Sequence, residues 1–522
     1  MASNQDKATV ERVESVGDGK GGDKQFDYAA DEATTAEHSL TVMEAFKTYP
    51  MAVVWSVLFC LCVVMDGYDS NLITNLYGLP SFQLKYGVVF EGSYTIPAAW
   101  QTALAMSSPV GRVVGGGIQG YVAEMFGRKR TLIGCLVLIT GFIFITFFAH
   151  SLTVLLVGEM LCGIIWGVLT SLAPIYASEV APLKLRDLLT AYINMCWSIG
   201  QLIATAVLAG MAPNPTEWSY RIPFALQWLW PVLIFSFIYW APESPYWLVR
   251  HGKLDKAESA LRQLISSRTD RVDVKNMLAL IQRTNEREQE MASSVRYVDC
   301  FRGVDLRRTV ICSMAWGTQI LSGLSLPFFA VVFFQQAGFP ATQAFNLNVG
   351  MTGLGFVGTL CSFFLIPRVG RRTLYVGGLS VLTALMLLIG FLGIPAGSAK
   401  MNNAIAALLL IWFFLYYLTV GPLAYVIVSE TSSTRLRGHT TAIALIAYSL
   451  LGIVYNISSP YLINASEVGL GAKTGLIYGG VSLLALVWCF FNIPECKGRT
   501  FEEIDIMFER KVPTRQFKSY VI

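Results

Sequence analysis

Four charged side chains stand where apolar sequence surrounds them on both sides: Asp66 and Asp69, Arg112, and Glu159. A charge near the middle of a membrane costs at least about 2.5–3.5 kcal/mol on insertion scales, so such residues are presumed functional. Asp66 and Asp69 are three apart and so share one face of a helix. A carboxyl group held away from water resists ionisation, which suits reversible proton binding. A structural alternative is that Asp66 or Asp69 only caps a break in the helix at Gly67. Counting the rise per residue puts Glu159 and Asp69 at comparable depth, with Arg112 displaced toward one side. Arg112 can then pair with Asp66 or with Glu159.

The elements that must position these charges follow from composition. The chain has 522 residues, 54% hydrophobic and only 14% charged, well below the ~25% charged share of soluble domains. Apolar windows long enough to cross a bilayer, about 20 residues, recur at approximately 49–76, 95–121, 131–150, 152–176, 188–210 and 222–241. A second set lies at approximately 308–336, 345–367, 373–394, 402–428, 438–463 and 473–493. The two sets are related. Gly127-Arg128-Lys129-Arg130-Thr131 returns as Gly370-Arg371-Arg372-Thr373, and Glu179 with Arg186 returns as Glu430 with Arg437 at the same spacing. Parallel halves of this kind belong to carriers that rock around a central site.

Short loops on one side carry Arg128, Lys129, Arg130, Lys184, Arg186, Arg368, Arg371, Arg372, Arg435 and Arg437, against Lys85, Arg221, Lys400 and Lys473 on the other. By the positive-inside rule both termini and the segment 242–307 are cytoplasmic. Each basic cluster abuts a span, which argues against nucleic-acid binding, and the net charge of +4 adds nothing. The expected organisation is a disordered tail over 1–48, a six-helix bundle over 49–241, linker helices over 242–307, a second bundle over 308–493 and a tail over 494–522. In the linker, Leu254, Ala257, Ala260, Leu261, Leu264 and Ile265 recur at helical spacing, and a second helix holds Met277, Leu278, Leu280 and Ile281. The ten cysteines are scattered, with no metal or disulfide pattern. Gly115-Gly116-Gly117 reads as close helix packing. No nucleotide loop, metal cluster or nucleophile arrangement points to an enzyme. The sequon Asn464-Ala465-Ser466 lies in a short loop close to the membrane, which argues against its modification.

Several motifs together resemble the sugar porter branch of the major facilitator superfamily: Gly127-Arg128-Lys129, Glu179…Arg186, Pro242-Glu243-Ser244-Pro245, Gly370-Arg371-Arg372, Glu430…Arg437 and Pro494-Glu495-Cys496-Lys497-Gly498-Arg499. Within that branch, Asp66-Gly67-Tyr68-Asp69 and the tail from Arg499 to Asp505 look most like fungal α-glucoside (maltose-type) permeases. The resemblance implies an all-α membrane protein, with twelve transmembrane helices in two six-helix bundles and short cytoplasmic helices between them. It implies a monomeric secondary transporter without a cofactor, in the plasma membrane, moving a sugar with a proton.

The resemblance also distributes roles. Asp69 falls on the position of proton coupling, with Asp66, Arg112 and Glu159 around it. Where the family usually carries Arg after the first Gly of the fourth span, this chain has Glu159. Where many maltose-type permeases carry Glu in the second span, it has Arg112, so Arg112 is expected to replace the missing Arg. Asn194, Gln201, Gln319, Ser325 and Tyr425 are the expected sugar contacts, with Ile320 in place of a second Gln and Ile446 near the place of an Arg. Arg128, Glu179, Arg186, Arg371, Glu430 and Arg437 are expected to form a gating charge network between the bundles. The central chamber is expected to be lined by Asp69, Asn194 and Gln319. Two other readings stay open: a carrier of the same fold for another hydroxylated metabolite, in either direction, and a sugar sensor without net flux.

Overall fold

A computed structural model describes residues 28–36, 40–90, 92–266, 273–294, 296–395, 398–433, 436–499 and 501–520. Inside a bilayer every backbone polar group must find its partner within the protein, so long apolar segments become helices. The first six are α1 (Pro50–Leu76), α2 (Ala98–Phe126), α3 (Arg128–Phe147), α4 (Leu152–Val180), α5 (Leu183–Met211) and α6 (Trp218–Ile238). The second six are α7 (Gly303–Leu321), α8 (Ala341–Leu365), α9 (Arg371–Leu392), α10 (Ala399–Thr431), α11 (Arg437–Ile463) and α12 (Thr474–Asn492). Starts are written in the sequence. Pro50 opens α1 as its first helical residue, and the Ser151 hydroxyl accepts from the Val154 N–H to cap α4.

Ten of the twelve are apolar enough on their own to read as spans. The other two, α2 and α7, are more polar for a structural reason. α2 carries Gln101, Ser107, Ser108 and Arg112 on its buried side. α7 stops at Leu321 and resumes as Ser325–Phe328 and Ala330–Gln336. Gly323 bridges that interruption at φ +98°, a conformation other residues rarely adopt.

Glycines set how closely the first bundle packs. A methyl added at Gly111 or Gly115 would collide with the α4 backbone at Met160 and Ile164, and one at Gly163 or Gly167 with the α2 backbone at Ser108 and Arg112. Small residues four apart on both helices thus mesh. Gly116 and Gly117, expected to pack as well, face open space. They lie on other faces of the helix, so only Gly115 of the three makes the contact. Gly67 meets the Trp197 carbonyl and Gly200 meets Val64, which brings α5 onto α1. α1 runs unbroken through Gly67, so neither aspartate caps a break.

The expected disordered tail over 1–48 is corrected in part. Residues 28–36 are helical, as is Val42–Thr48, which Thr41 and Glu44 cap reciprocally; residues 1–27 lie outside the described residues. Ala30 and Ala33 are buried, and Asp31 pairs with Arg283 at 2.7 Å on the linker helix Val274–Ser294. The amphipathic linker helix Leu254–Leu264 buries Ala257, Ala260, Leu261 and Leu264. A short antiparallel ribbon, Val88–Phe90 against Ser93–Thr95, follows α1 and adds a strand pair to an otherwise helical chain. Asn464 of the sequon is buried and its Oδ1 accepts from Gln336 at 3.0 Å.

Candidate functional site

The charged cluster is built on α1. The meshing of α2 with α4, and of α1 with α5, carries the surrounding donors to the two aspartates. Arg112 Nη2 of α2 stands 2.6 Å from Asp66 Oδ1 and also donates to Ser70 Oγ. The Trp197 indole N–H of α5 donates to Asp66 Oδ2 at 3.1 Å. Asp69 turns to the neighbouring sector. The Trp166 indole of α4 donates to Asp69 Oδ2 at 3.0 Å, and Gln227 donates to Oδ1 at 2.9 Å. Gln227 sits between the two helical pieces of α6, Trp218–Leu226 and Leu229–Ile238.

Of the two pairings open to Arg112, the structure forms the one with Asp66. Glu159 is left 1% exposed, and neither of its carboxyl oxygens has a hydrogen-bond partner among the described residues. It interacts through space with Asp69 and Arg112.

A small cleft opens in the second bundle, walled by Trp316 and Gln319 of α7, Tyr425 of α10, and Leu445 and Tyr448 of α11. Trp316 and Tyr425 meet edge to face, ring centroids 5.4 Å apart. Amides together with aromatic faces are what binds a polyhydroxylated ring. Gln319 Oε1 accepts from Tyr416 at 2.9 Å. Helix α11, which carries Tyr448, packs against α2, which carries Arg112, across the two bundles.

The expected sugar contacts divide. Gln319 and Tyr425 wall the cleft. Gln201 is buried, and its Oε1 accepts from Tyr417 of α10 at 3.0 Å, so it joins the bundles. Asn194 is half-buried on α5, with its carbonyl facing Ser198. Ser325 is buried just past the interruption of α7. Neither is among the cleft's lining residues. Ile320 is buried, and Ile446 is exposed beside Leu445. The expected chamber lined by Asp69, Asn194 and Gln319 is therefore corrected. Asp69 is 1% exposed and tied to Trp166 and Gln227, because α4 and α6 close over it.

In this conformation the expected gating charges that are described pair within their own halves. Arg128 forks onto Glu179 at 2.9 and 3.0 Å and reaches Glu124 at 3.2 Å, all within the first bundle. Arg371 holds Glu430 at 3.0 Å within the second. Arg437 interacts with Asp505 of the C-terminal helix Phe501–Glu509, and the Arg186 side chain lies outside the described residues. Besides the Tyr417–Gln201 bond, four further bonds that join the bundles are uncharged. Asn348 donates to Asn75 at 2.8 Å, Gln335 donates to the Gly78 carbonyl at 2.6 Å, and Thr205 meets Thr352 at 2.8 Å. Ser198 meets Thr359 at 3.4 Å. They lie from mid-helix to the end away from the chain termini. The bundles are closed against each other there.

A family model described as "Sugar (and other) transporter" matches residues 55–508. The chain belongs to that family. It is 40% identical over 499 residues to the general alpha-glucoside permease of Saccharomyces cerevisiae, covering 94% of this chain and 81% of the permease. To a maltose permease of the same yeast it is 37% identical over 498 residues, with the same coverage. Its fold matches the inward-open xylose transporter of Escherichia coli with a TM-score of 0.69 at 20% identity, over 87% of this chain and 99% of that one. A proton:xylose symporter structure bound to 6-bromo-6-deoxy-D-glucose gives 0.67 at 22%, over 88% and 99%. The chain is thus a multi-pass membrane transporter of the major facilitator fold and not an enzyme.

Sequence reasoning missed Trp166, Trp197, Gln227, Trp316 and Tyr448. A signal existed for Trp166, seven residues and so two turns from Glu159 on one face of α4. Another existed for Trp316, one turn before Gln319. Gln227 was visible only as a lone amide in an apolar span.

Proposed function

We propose that this chain imports α-glucosides of the maltose type together with a proton, by alternating access, in the plasma membrane with both termini cytoplasmic. The named substrates of its permease relatives support the substrate class. The observation that carries the reading is that the helices bearing the two sites pack against each other. Helix α11, which carries Tyr448 of the aromatic and amide cleft, packs against α2, whose Arg112 holds Asp66 one turn from Asp69. Protonation of the aspartate pair weakens its hold on Arg112, and the freed guanidinium changes the wall of the sugar cleft. Coupling follows because proton and sugar act on helices that share one seam. The helix-end charges brace each bundle as a rigid body, so motion occurs between bundles.

The test is uptake of labelled maltose, glucose and trehalose in transporter-null cells at pH 5 and pH 7, for wild type and Asp69→Asn. Maltose uptake is expected to be faster at the lower pH and to alkalinise the medium. Asp69→Asn is expected to lose uphill accumulation while keeping sugar counterflow. Uptake that ignores a proton uncoupler and leaves external pH unchanged overturns the reading. The apolar Leu445 in the cleft wall favours a second reading, a metabolite with fewer hydroxyls. Counterflow with unrelated polyols separates the two.

A further inference from the structure

The cluster holds three carboxyl groups against one guanidinium. Asp66 is paired with Arg112. Asp69 takes two N–H donors, from Trp166 and Gln227. Glu159, as buried as either, has neither a cation in contact nor a donor to either oxygen among the described residues. Burying an ionised carboxylate without a partner is prohibitive, and a group so placed takes up a proton instead. Glu159 is also within electrostatic reach of Asp69. The two carboxyls come from different helices, α4 and α1, at similar depth.

We infer that Glu159 is a second proton-binding site, which holds a proton in the conformation described here and exchanges it with Asp69 during transport. This inference rests on the proton-coupled reading above and deepens it. In the exchange the O–H bond of the Glu159 carboxyl breaks and one forms on Asp69. One carboxylate is ionised before and after, so the net charge of the buried cluster does not change. The alternative of ionising both would add a buried charge. The titratable groups near Glu159 are Asp69 of α1, Tyr77 just past the end of that helix, Arg112 of α2 and, on its own helix, Cys162. Behind Gly158, α3 places Thr146 and Ile145. Arg112 is the one cation among them, and it is committed to Asp66.

The test uses the full-length carrier in transporter-null cells and in proteoliposomes. Glu159→Gln imitates the protonated side chain but cannot release a proton. It is expected to keep counterflow of maltose and to lose uphill accumulation by about tenfold, within the range common for coupled sites. Its uptake is expected to lose the dependence on external pH between 5 and 7. Glu159→Asp, which keeps a carboxyl, is expected to retain both. Accumulation and a pH profile like wild type in Glu159→Gln overturn the inference. If that variant does not reach the membrane, infrared difference spectroscopy of purified Asp69→Asn decides. A protonated-carboxyl stretch at neutral pH supports Glu159 as the proton holder, and its absence overturns it. Wild type without proton-driven uptake would instead sink the functional reading itself.

Discussion

Arg112 and Asp66 form the pair on which the cluster rests. Asp66 is nearly inaccessible, so deleting the cation alone strands a buried charge, a loss of about 3–5 kcal/mol in comparable pairs. Arg112→Met is therefore expected to lower the melting temperature of the purified protein markedly. The double variant Arg112→Met with Asp66→Asn is expected to recover most of it. A double variant no more stable than the single one would show that the two side chains do not depend on each other. The placement of Arg112 was only half legible. Its presence in an apolar run was plain, but its choice of Asp66 over Glu159 depends on how closely α2 approaches α1. Glu159 stayed without a partner for the same reason.

Helix ends and helix faces carry the next set of consequences. Glu243 accepts from the backbone N–H groups of Arg128 at 2.8 Å and Lys129 at 3.1 Å, at the start of α3. Glu495 accepts from the Arg371 N–H at 2.7 Å, at the start of α9. Each thus satisfies donors that a helix start leaves free, and Gly127 and Gly370 provide the room, since a methyl at either would strike the carboxylate. The repeated Gly-Arg and Pro-Glu motifs of the two halves therefore meet in space. Burial pushes Glu243 above its ordinary 4.5, against the hydrogen bonds that pull it down. The folded chain then binds a proton there more tightly than the unfolded one. By linkage, stability is greatest below pH 4.5, falls as pH rises through the window just above it, and is level once the folded group has ionised. Glu243→Gln is expected to flatten that window in melting temperature measured against pH. Glycines at the α2–α4 seam give a second prediction. Gly167→Leu drives a side chain into the α2 backbone, and overpacking of this kind costs about 1–3 kcal/mol. It is expected to lower stability and to abolish uptake together, since the same seam carries Arg112 and Trp166. Normal uptake at a normal melting temperature would remove the seam from the account.

Between the bundles, amides and hydroxyls rather than charges hold the end away from the termini shut. Each such bond is worth about 0.5–1.5 kcal/mol, so a pair of them biases the open and closed populations by about fivefold to a hundredfold. Asn348→Ala with Gln335→Ala is expected to shift the carrier toward the state open at that end. Spin-label distances between the ends of α1 and α8 should lengthen in a larger fraction of molecules. An unchanged distance distribution would mean that apolar packing alone keeps that end closed.

The span count, the doubling of the six-helix unit and the positions of the charged intruders are local properties. Runs of about 20 apolar residues, repeated motifs and out-of-place charges are written along the chain and need no neighbour to be read. Asp66, Asp69, Arg112 and Glu159 were visible on that basis, as were Gln319 and Tyr425 through the motifs around them. What the chain does not write is which face of one helix meets which face of another. That depends on approach distances, set here by glycines at Gly67, Gly111, Gly115, Gly163 and Gly167 acting on partners far away in sequence. Only the packed structure could assign Trp166 and Gln227 to Asp69, turn Gln201 from a sugar contact into a bond between bundles, and keep the arginine–glutamate pairs inside each bundle. Burial does the deciding, because a polar atom removed from water must take whichever partner the packing brings within reach.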